Sequence, residues 1–262
     1  MTTTAVELVK FGVVDTRQAE CPTHGQFSEQ LVRFGGKERW GGCPKCVTEQ
    51  QDREREEHHA KLARERHDAA MRSMMNQAAI PPRFQSRTLE TYRAELPEQQ
   101  RALSVVVAYA DGFEQAREQG QSLILCGLPG TGKTHLAIGV GHRVIAAGRT
   151  AVFTSAMNAI RRVRETYRKD SDETERNAIQ SFAKPDLLIL DEVGQQLGTD
   201  AEKVTLFDII NARYEAMRPM IVISNLDLKG ISEYLGGRAF DRLREGGGRA
   251  LQFTWSSHRK GA

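Results

Sequence analysis

The run Gly127-Leu-Pro-Gly-Thr-Gly-Lys-Thr134 restricts the fold of this 262-residue chain more than any other feature. It has the spacing G-x-x-x-x-G-K-T of a phosphate loop. Its setting fits as well: the apolar run Leu123–Cys126 reads as a strand leading in, and His135–Ala147 reads as a helix leading out. Gly127, Gly130 and Gly132, with Pro129 and Thr131 between them, let the backbone curl until its N–H groups face the phosphates of ATP. The helix N-terminus adds partial positive charge at the same place. Lys133 is expected to reach the β- and γ-phosphates, and the Thr134 hydroxyl to complete a Mg²⁺ shell. The plainer alternative is a glycine-rich turn before an ordinary helix. The lysine and threonine in register, with strand and helix on either side, speak against it.

Composition sets the outer limits. A hydrophobic share of 39% and a charged share of 27% suit a chain with a real core, and a net charge of +3 is mild. The length suits one domain with an appendage, or two domains. Apolar runs stop at six residues, against roughly 20 for a spanning helix, so no membrane association is expected. The N-terminus, Met1-Thr-Thr-Thr-Ala-Val-Glu-Leu, has no basic stretch followed by an apolar core. The expectation is a cytoplasmic protein.

A disulfide framework is not expected of the four cysteines. Three of them form, with a histidine, the pairs Cys21-Pro-Thr-His24 and Cys43-Pro-Lys-Cys46, separated by 18 residues. That spacing matches a tetrahedral Zn²⁺ site, and four protein ligands would make it structural. The segment between the pairs holds Phe27, Leu31, Val32, Phe34 and Trp40, with Gly35-Gly36 and Gly41-Gly42 as turns. It reads as a β-rich module with too little core to fold alone. A coincidental cluster and a redox Cys-x-x-Cys are the alternatives. Cys126, at the end of an apolar strand, reads as a small buried hydrophobe.

Thr48 to Gln77 contains neither Gly nor Pro and is charged on nearly every face. Glu49–Arg53, Glu57–Lys61 and Asp68–Arg72 stand at i, i+4 with the acid first. A solvated helix of about 45 Å is expected, acting as a spacer rather than a coiled coil. His58, His59 and His67 read as solvated residues. Met71, Met74 and Met75 form an apolar end suited to docking. The boundaries are then 1–48 for the metal module, 49–78 for the charged linker and 79–262 for the nucleotide domain. Ile80-Pro-Pro-Arg-Phe84 breaks the helix. From Pro97 an amphipathic helix carries Leu103, Val106, Val107, Ala110 and Phe113 on one face and ends at Gly120. Strand candidates are Leu123–Cys126, Ala151–Thr154, Leu187–Leu190, Met220–Ser224 and Ala250–Thr254, with helices between. This alternation predicts an α/β fold, a parallel sheet flanked by helices.

Leu187-Leu-Ile-Leu190 ends in Asp191-Glu192. Downstream of a phosphate loop, Asp191 is expected to hold Mg²⁺ and Glu192 to polarise the water that attacks the γ-phosphate. The alternative is an acid pair that caps the following loop. Asn225, after the next strand, is placed to orient that water. Arg238 and Arg242, in Gly237-Arg-Ala-Phe-Asp-Arg-Leu243, either face solvent or project toward a neighbouring subunit's nucleotide.

Together the phosphate loop, Asp191-Glu192, Asn225 and the Gly237–Leu243 run resemble an AAA+ ATPase. More narrowly, Ala79-Ile-Pro-Pro-Arg-Phe84, Gly127–Leu136, Asp191-Glu-Val-Gly194 and Phe253-Thr-Trp-Ser-Ser-His-Arg259 resemble DnaC-type replicative helicase loaders. The likeness covers residues 79–259. It departs at Gly236-Gly237-Arg238, where the family pattern is Gly-Glu-Arg, and at Ser257-His258-Arg259, where it is Ser-Tyr-Arg. After Arg242 only 20 residues remain, too few for the helical lid of most AAA+ proteins, which these loaders also lack. The resemblance implies ATP hydrolysis, a hexameric DnaB-type helicase partner, single-stranded DNA, and self-association into an open ring or spiral with Arg242 as the arginine finger. It also implies that the helix around Arg161-Arg-Val-Arg-Glu-Thr-Tyr-Arg-Lys169 lines a DNA channel. Arg161, Arg162, Arg164 and Arg168 suit phosphates and Tyr167 suits base stacking; a basic surface helix balanced by nearby acids is the bland alternative. By position the zinc module resembles the region with which loaders grip the helicase. An IstB-like ATPase subunit of a transposition system, and a scaffold that uses ATP only structurally, are the other readings.

Overall fold

The structure is a computed structural model that describes residues 12–34, 36–195 and 198–257. The extreme N-terminus, Gly35 and the pair His258-Arg259 discussed above lie outside the described residues, as do the side chains of His67, Asp68, Met71 and Arg72. The chain divides into two compact units, Met1–Asp68 and Ala69–Ala262. No described helix is long and apolar enough to cross a membrane.

The first unit is an antiparallel sheet followed by a helix. Strands β1 (Gly12–Cys21) and β2 (Gly25–Phe34) form a hairpin whose last pair is Cys21 opposite Gly25. Gly25 takes φ +73°, which closes the turn at little steric cost. Strand β3 (Lys37–Trp40) adds to β2, with Trp40 opposite Leu31, and the Arg17 guanidinium lies 4.1 Å over the Trp40 ring. Helix α1 (Pro44–Gln77) begins four residues before the expected Thr48, because Pro44 suits a first helical position. Cys46 therefore sits in its first turn. Glu49, expected to pair with Arg53, instead bonds His24, and the ion pair found nearby is Asp52–Arg55. Among the described residues of this unit, Cys21 and Cys43 are the buried ones. Those described residues form no apolar core of their own, so their stability has to come from elsewhere.

The second unit is built on a five-stranded sheet in the order β5-β6-β7-β4-β8, parallel throughout. The strands are β4 (Leu123–Gly127), β5 (Ala151–Ser155), β6 (Leu187–Val193), β7 (Met220–Ser224) and β8 (Arg249–Phe253). Each lies within a residue or a few of its expected bounds. Alternate side chains feed two cores. Leu123, Leu125, Leu187, Ile189, Ile221 and Ile223 face one side, with α2 (Pro97–Asp111) and α4 (Lys133–Ala146) over them. Ile124, Cys126, Leu188, Leu190 and Val222 face the other. There they meet α5 (Ala156–Glu165), α6 (Glu175–Ala183), α7 (Asp200–Glu215), α8 (Leu228–Leu235) and α9 (Gly237–Arg244). The helix expected to run to Gly120 breaks at Gly112 into α2 and α3 (Phe113–Glu118). Met74 and Met75, at the end of α1, pack against the first core. Cys126 is fully buried, as expected of a small hydrophobe.

The edge where the strands begin is tied down by charge. Arg213 is 1% exposed and donates to the carbonyls of Phe182, Pro185, Asp186 and Pro219. Asp186 accepts from the Thr150 N–H and hydroxyl and from Arg117. Burial opposes its charge, yet these donors hold the carboxyl down at about 2. The opposite edge, where the strands end, is left for function. β4 lies between β7 and β8, so the connection after β4 leaves at a point where the strand order reverses, the usual crevice for a ligand in such sheets.

Candidate active site

The turn from β4 to α4 fits its surroundings because three positions carry no side chain. A Cβ on Gly127 would meet the Phe253 carbonyl oxygen at 2.4 Å, one on Gly130 the Ser257 hydroxyl at 2.0 Å, and one on Gly132 the Tyr92 ring at 2.5 Å. All three have positive φ. The loop is pinned from outside: Gly127 N–H donates to the Leu226 carbonyl at 2.9 Å and Leu128 N–H to the Phe253 carbonyl at 2.8 Å. Thr131 is fully buried, and its hydroxyl donates to the Leu128 carbonyl at 2.8 Å. Pro129 is exposed at the tip. Lys133, 4% exposed, folds onto the loop's own carbonyls, at 2.9 Å from Gly127 O and 2.6 Å from Leu128 O. An ammonium buried on neutral carbonyls, beneath a concave row of amides at a helix N-terminus, fits a polyphosphate.

Across the crevice the Thr134 hydroxyl donates to Asp191 Oδ2 at 2.9 Å. Burial pushes the Asp191 carboxyl above its usual range, against the pull of the Thr134 and Glu192 donors and Lys133. A hydroxyl and a carboxylate in contact, the latter short of countercharge, are a donor set suited to Mg²⁺. Glu192 is set apart by the backbone. The register of β6 on β7 slips between Leu190 and Val193, and Glu192 at this bulge takes φ +61°. Bulges re-aim side chains, and a left-handed non-glycine residue stores strain. The result is that Asp191 is half-buried while Glu192 is exposed. Asn225 directly follows β7, and its neighbour Leu226 takes the Gly127 N–H, so the asparagine stands beside the phosphate loop.

The remaining candidates lie elsewhere. On α9, Arg238 is exposed, whereas Arg242 is half-buried, with its guanidinium 4.7 Å from the Phe207 ring and 5.4 Å from the Tyr214 ring of α7. Arg161, Arg162 and Arg164 are on α5. The expected helix through Lys169 is not continuous: α5 ends at Glu165, so Tyr167 and Arg168 fall in the turns after it. The N–H groups of Thr166, Tyr167 and Arg168 bond carbonyls three residues back and the Thr166 hydroxyl bonds Val163 O, which tightens the last turn and stops the helix. Acids already meet these side chains: Arg162–Glu173, Arg164–Glu202, Arg168–Asp170, and the Tyr167 hydroxyl on Glu175.

In the first unit Cys21, His24, Cys43 and Cys46 converge, their ligand atoms all within 4.8 Å of one another. His24 Nδ1 is 3.8, 3.7 and 3.3 Å from the sulfurs of Cys21, Cys43 and Cys46, and Cys21 Sγ is 3.5 Å from Cys46 Sγ. Corners of a tetrahedron about 2.3 Å from its centre lie about 3.8 Å apart. The Thr23 and His24 amides, the larger causes, lower the Cys21 thiol to about 6. The cluster therefore fits a tetrahedral metal. His24 Nε2 is 3.0 Å from Glu49 Oε1, the carboxylate–histidine arrangement common behind metal ligands. Sequence reading missed this role, though Glu49 stands three residues after Cys46 on one helix face. It also missed Tyr92 and Trp255 as partners of the phosphate loop, and nothing local marks them.

A sequence model of IstB-like ATP binding proteins matches residues 51–242. The replicative helicase loader DnaC of Buchnera aphidicola subsp. Schizaphis graminum is 31% identical over 199 residues, which span 76% of this chain and 80% of that protein. The crystal structure of the DnaC helicase loader superposes with a TM-score of 0.59 at 22% identity, covering 66% of this chain and all of that one. Replication initiator DnaA bound to AMPPCP and single-stranded DNA gives 0.56 at 22% identity, covering 68% of this chain and 52% of that one. At these identities the two structures establish a shared AAA+ fold.

The bulge generates a prediction of stability. Glu192→Gln and Glu192→Gly both remove the carboxylate, but only glycine relieves φ +61°. Glu192→Gly should be more stable than Glu192→Gln by about 1 kcal/mol, read from urea unfolding. Equal stabilities would mean that the backbone there is unstrained.

Proposed function

The chain belongs to the IstB/DnaC family of ATP-binding proteins, and from that membership we propose that it loads a replicative helicase onto single-stranded DNA, hydrolysing ATP as it does so. The observation that carries the reading is the meeting of Lys133, the Thr134–Asp191 pair, Glu192 and Asn225 at the ends of three adjacent strands. In this mechanism Lys133 exchanges the Gly127 and Leu128 carbonyls for phosphate oxygens. Thr134 and Asp191 hold Mg²⁺, which when bound offsets the charge of the phosphates. Glu192 takes a proton from the attacking water, and Asn225 orients that water in line with the leaving oxygen. A purely structural use of ATP would not call for an exposed carboxylate held at a strained bulge next to Asp191.

Copies of the chain are proposed to assemble in an open ring or spiral, with Arg238 and Arg242 completing a neighbour's site. An arginine so placed contributes about 10³–10⁵ in rate in other phosphoryl-transfer systems. Arg242 has to leave Phe207 and Tyr214 to act; Arg238 is already exposed. Arg161, Arg162, Arg164, Arg168 and Tyr167 are proposed to meet DNA, whose phosphates would replace Glu173, Glu202 and Asp170 as partners. We assign Zn²⁺ to the Cys21–His24–Cys43–Cys46 cluster and a structural role to it, with 1–48 as the part that grips the helicase, 49–78 as linker and 79–262 as the ATPase. A cytoplasmic setting follows from this reading.

The test uses purified protein, the replicative helicase of its host and single-stranded DNA. Wild type should deliver the helicase to DNA when ATP is present. Lys133→Ala should lose ATP binding, while Glu192→Gln should bind ATP and hydrolyse it at least 100-fold more slowly, on the order expected for loss of a general base. Wild-type turnover in Glu192→Gln would remove Glu192 as the base. Capture of a transposase instead of a helicase would turn the reading to the transposition ATPases.

Metal analysis should find one zinc per chain. Cys43→Ser should lose it and unfold the first unit, because the metal supplies most of the stability of so small a module, yet leave ATP binding intact. Glu49→Gln should keep the fold but weaken zinc about 10- to 100-fold in a chelator competition. Protein purified without chelator and free of zinc would overturn the assignment.

A further inference from the structure

The phosphate loop has one peptide group held from behind by two aromatic side chains. The Thr131 carbonyl accepts from the Tyr92 hydroxyl at 3.2 Å and from the Trp255 indole N–H at 3.1 Å. Both rings are 7% exposed. Tyr92 comes from the segment before α2, 39 residues away in sequence, and Trp255 from just past β8, 124 residues away. Two donors on one buried carbonyl are more than its satisfaction requires.

Peptide geometry says what they do. The Thr131 carbonyl and the Gly132 N–H belong to one planar trans peptide, so they point in opposite directions. Fixing the carbonyl toward Tyr92 and Trp255 fixes the Gly132 N–H away from them, into the concavity of the loop. Without a side chain and with φ +95°, Gly132 leaves this peptide freer to rotate than a bulkier residue would. The Tyr92 ring also fills the space a Cβ would take there. Burial pushes the Tyr92 phenol up to about 12, so it stays a donor across the working pH range. The stretch carrying Trp255 is itself anchored to the loop, by Leu128 N–H on Phe253 O and by Phe253 packed at 4.7 Å on the Trp255 ring.

We propose that Tyr92 and Trp255 are positioning residues for nucleotide binding, which hold the Thr131–Gly132 peptide so that the Gly132 N–H faces the phosphates. The proposal rests on the reading of this loop as an ATP site. It extends that site to the segment before α2, which carries Tyr92, and to the stretch just past β8, which carries Trp255. Because they act on a phosphate-facing amide, their effect should not depend on the base of the nucleotide. It should fall on binding rather than on turnover at saturation.

The test measures dissociation constants for fluorescent ADP and GDP in full-length wild type, Tyr92→Phe, Trp255→Phe and the double variant. Unfolding midpoints without nucleotide are measured alongside. Tyr92→Phe keeps the ring and should melt like wild type, so it decides the matter if Trp255→Phe is unstable. Each single variant should weaken ADP by about 3- to 10-fold, the size of one hydrogen bond. The double variant, which leaves the carbonyl without a ring donor, should lose more than the product of the two. GDP, whatever its own affinity, should weaken by the same factors, and kcat at saturating ATP should stay within about twofold while KM rises with the dissociation constant. In a Trp40→Phe background Trp255 is the remaining tryptophan, and its emission should shift on ADP binding. Wild-type affinity in Tyr92→Phe and in the double variant would overturn the proposal. Failure of wild type itself to bind ADP would instead overturn the ATP-site reading.

Discussion

Between the last residue of β4 and the first of α4, the chain passes so close to β8 and to Tyr92 that side chains on Gly127 and Gly132 would collide with them. Backbone has to be in contact with backbone there, and that contact shapes the rest of the second unit. It sets β8 beside β4 and brings the Phe253 carbonyl under the Leu128 amide. Lys133 folds back and donates to the carbonyls of Gly127 and Leu128. The lysine thus rests on weak neutral acceptors, which oxyanions would outcompete.

The sheet divides its work between its edges. Where the strands begin, Arg213 and Asp186 bond the loops that feed β5, β6 and β7, with each charge met by several partners. Where the strands end, groups are kept in less settled states: an acid above its usual range at Asp191, a left-handed backbone at Glu192, and a buried lysine that donates to the carbonyls of its own loop. Strain at one edge persists because the other edge is over-determined. The first unit follows a different logic. Its buried residues among those described are two of the cysteines that face His24, so the Cys–His cluster stands where a hydrophobic core would otherwise be.

Most of the fold was legible because the central strands of the second unit, β4, β6 and β7, are buried on both faces and read as apolar runs, such as Leu187–Leu190 and Met220–Ile223. The phosphate loop and the cysteine pairs were legible because their chemistry depends on local spacing. What escaped depends on distant partners. Nothing in Asp191-Glu192 announces a bulge, which arises from the pairing of β6 with β7. The basic run after Ala156 reads as one helix, but the turn at Thr166 and the acids at 170–175 cut it short. The exposure of Arg238 and the stacking of Arg242 on Phe207 and Tyr214 required the packing of α9 on α7. Tyr92 and Trp255 meet Thr131 only through the completed sheet.

On the proposed reading the loop is a cradle already shaped for phosphates, with its own lysine lying meanwhile on the carbonyls of Gly127 and Leu128. A crystal structure of the protein with Mg²⁺ and a non-hydrolysable ATP analogue tests it most directly. Lys133 Nζ should move off the Gly127 and Leu128 carbonyls onto phosphate oxygens, and the Thr134 hydroxyl should leave Asp191 for the metal. The backbone of residues 127–132 should meanwhile stay within about 1 Å of its present course, as in most pre-organised sites. Nucleotide bound elsewhere, or Lys133 still on those carbonyls with the analogue in place, would contradict it.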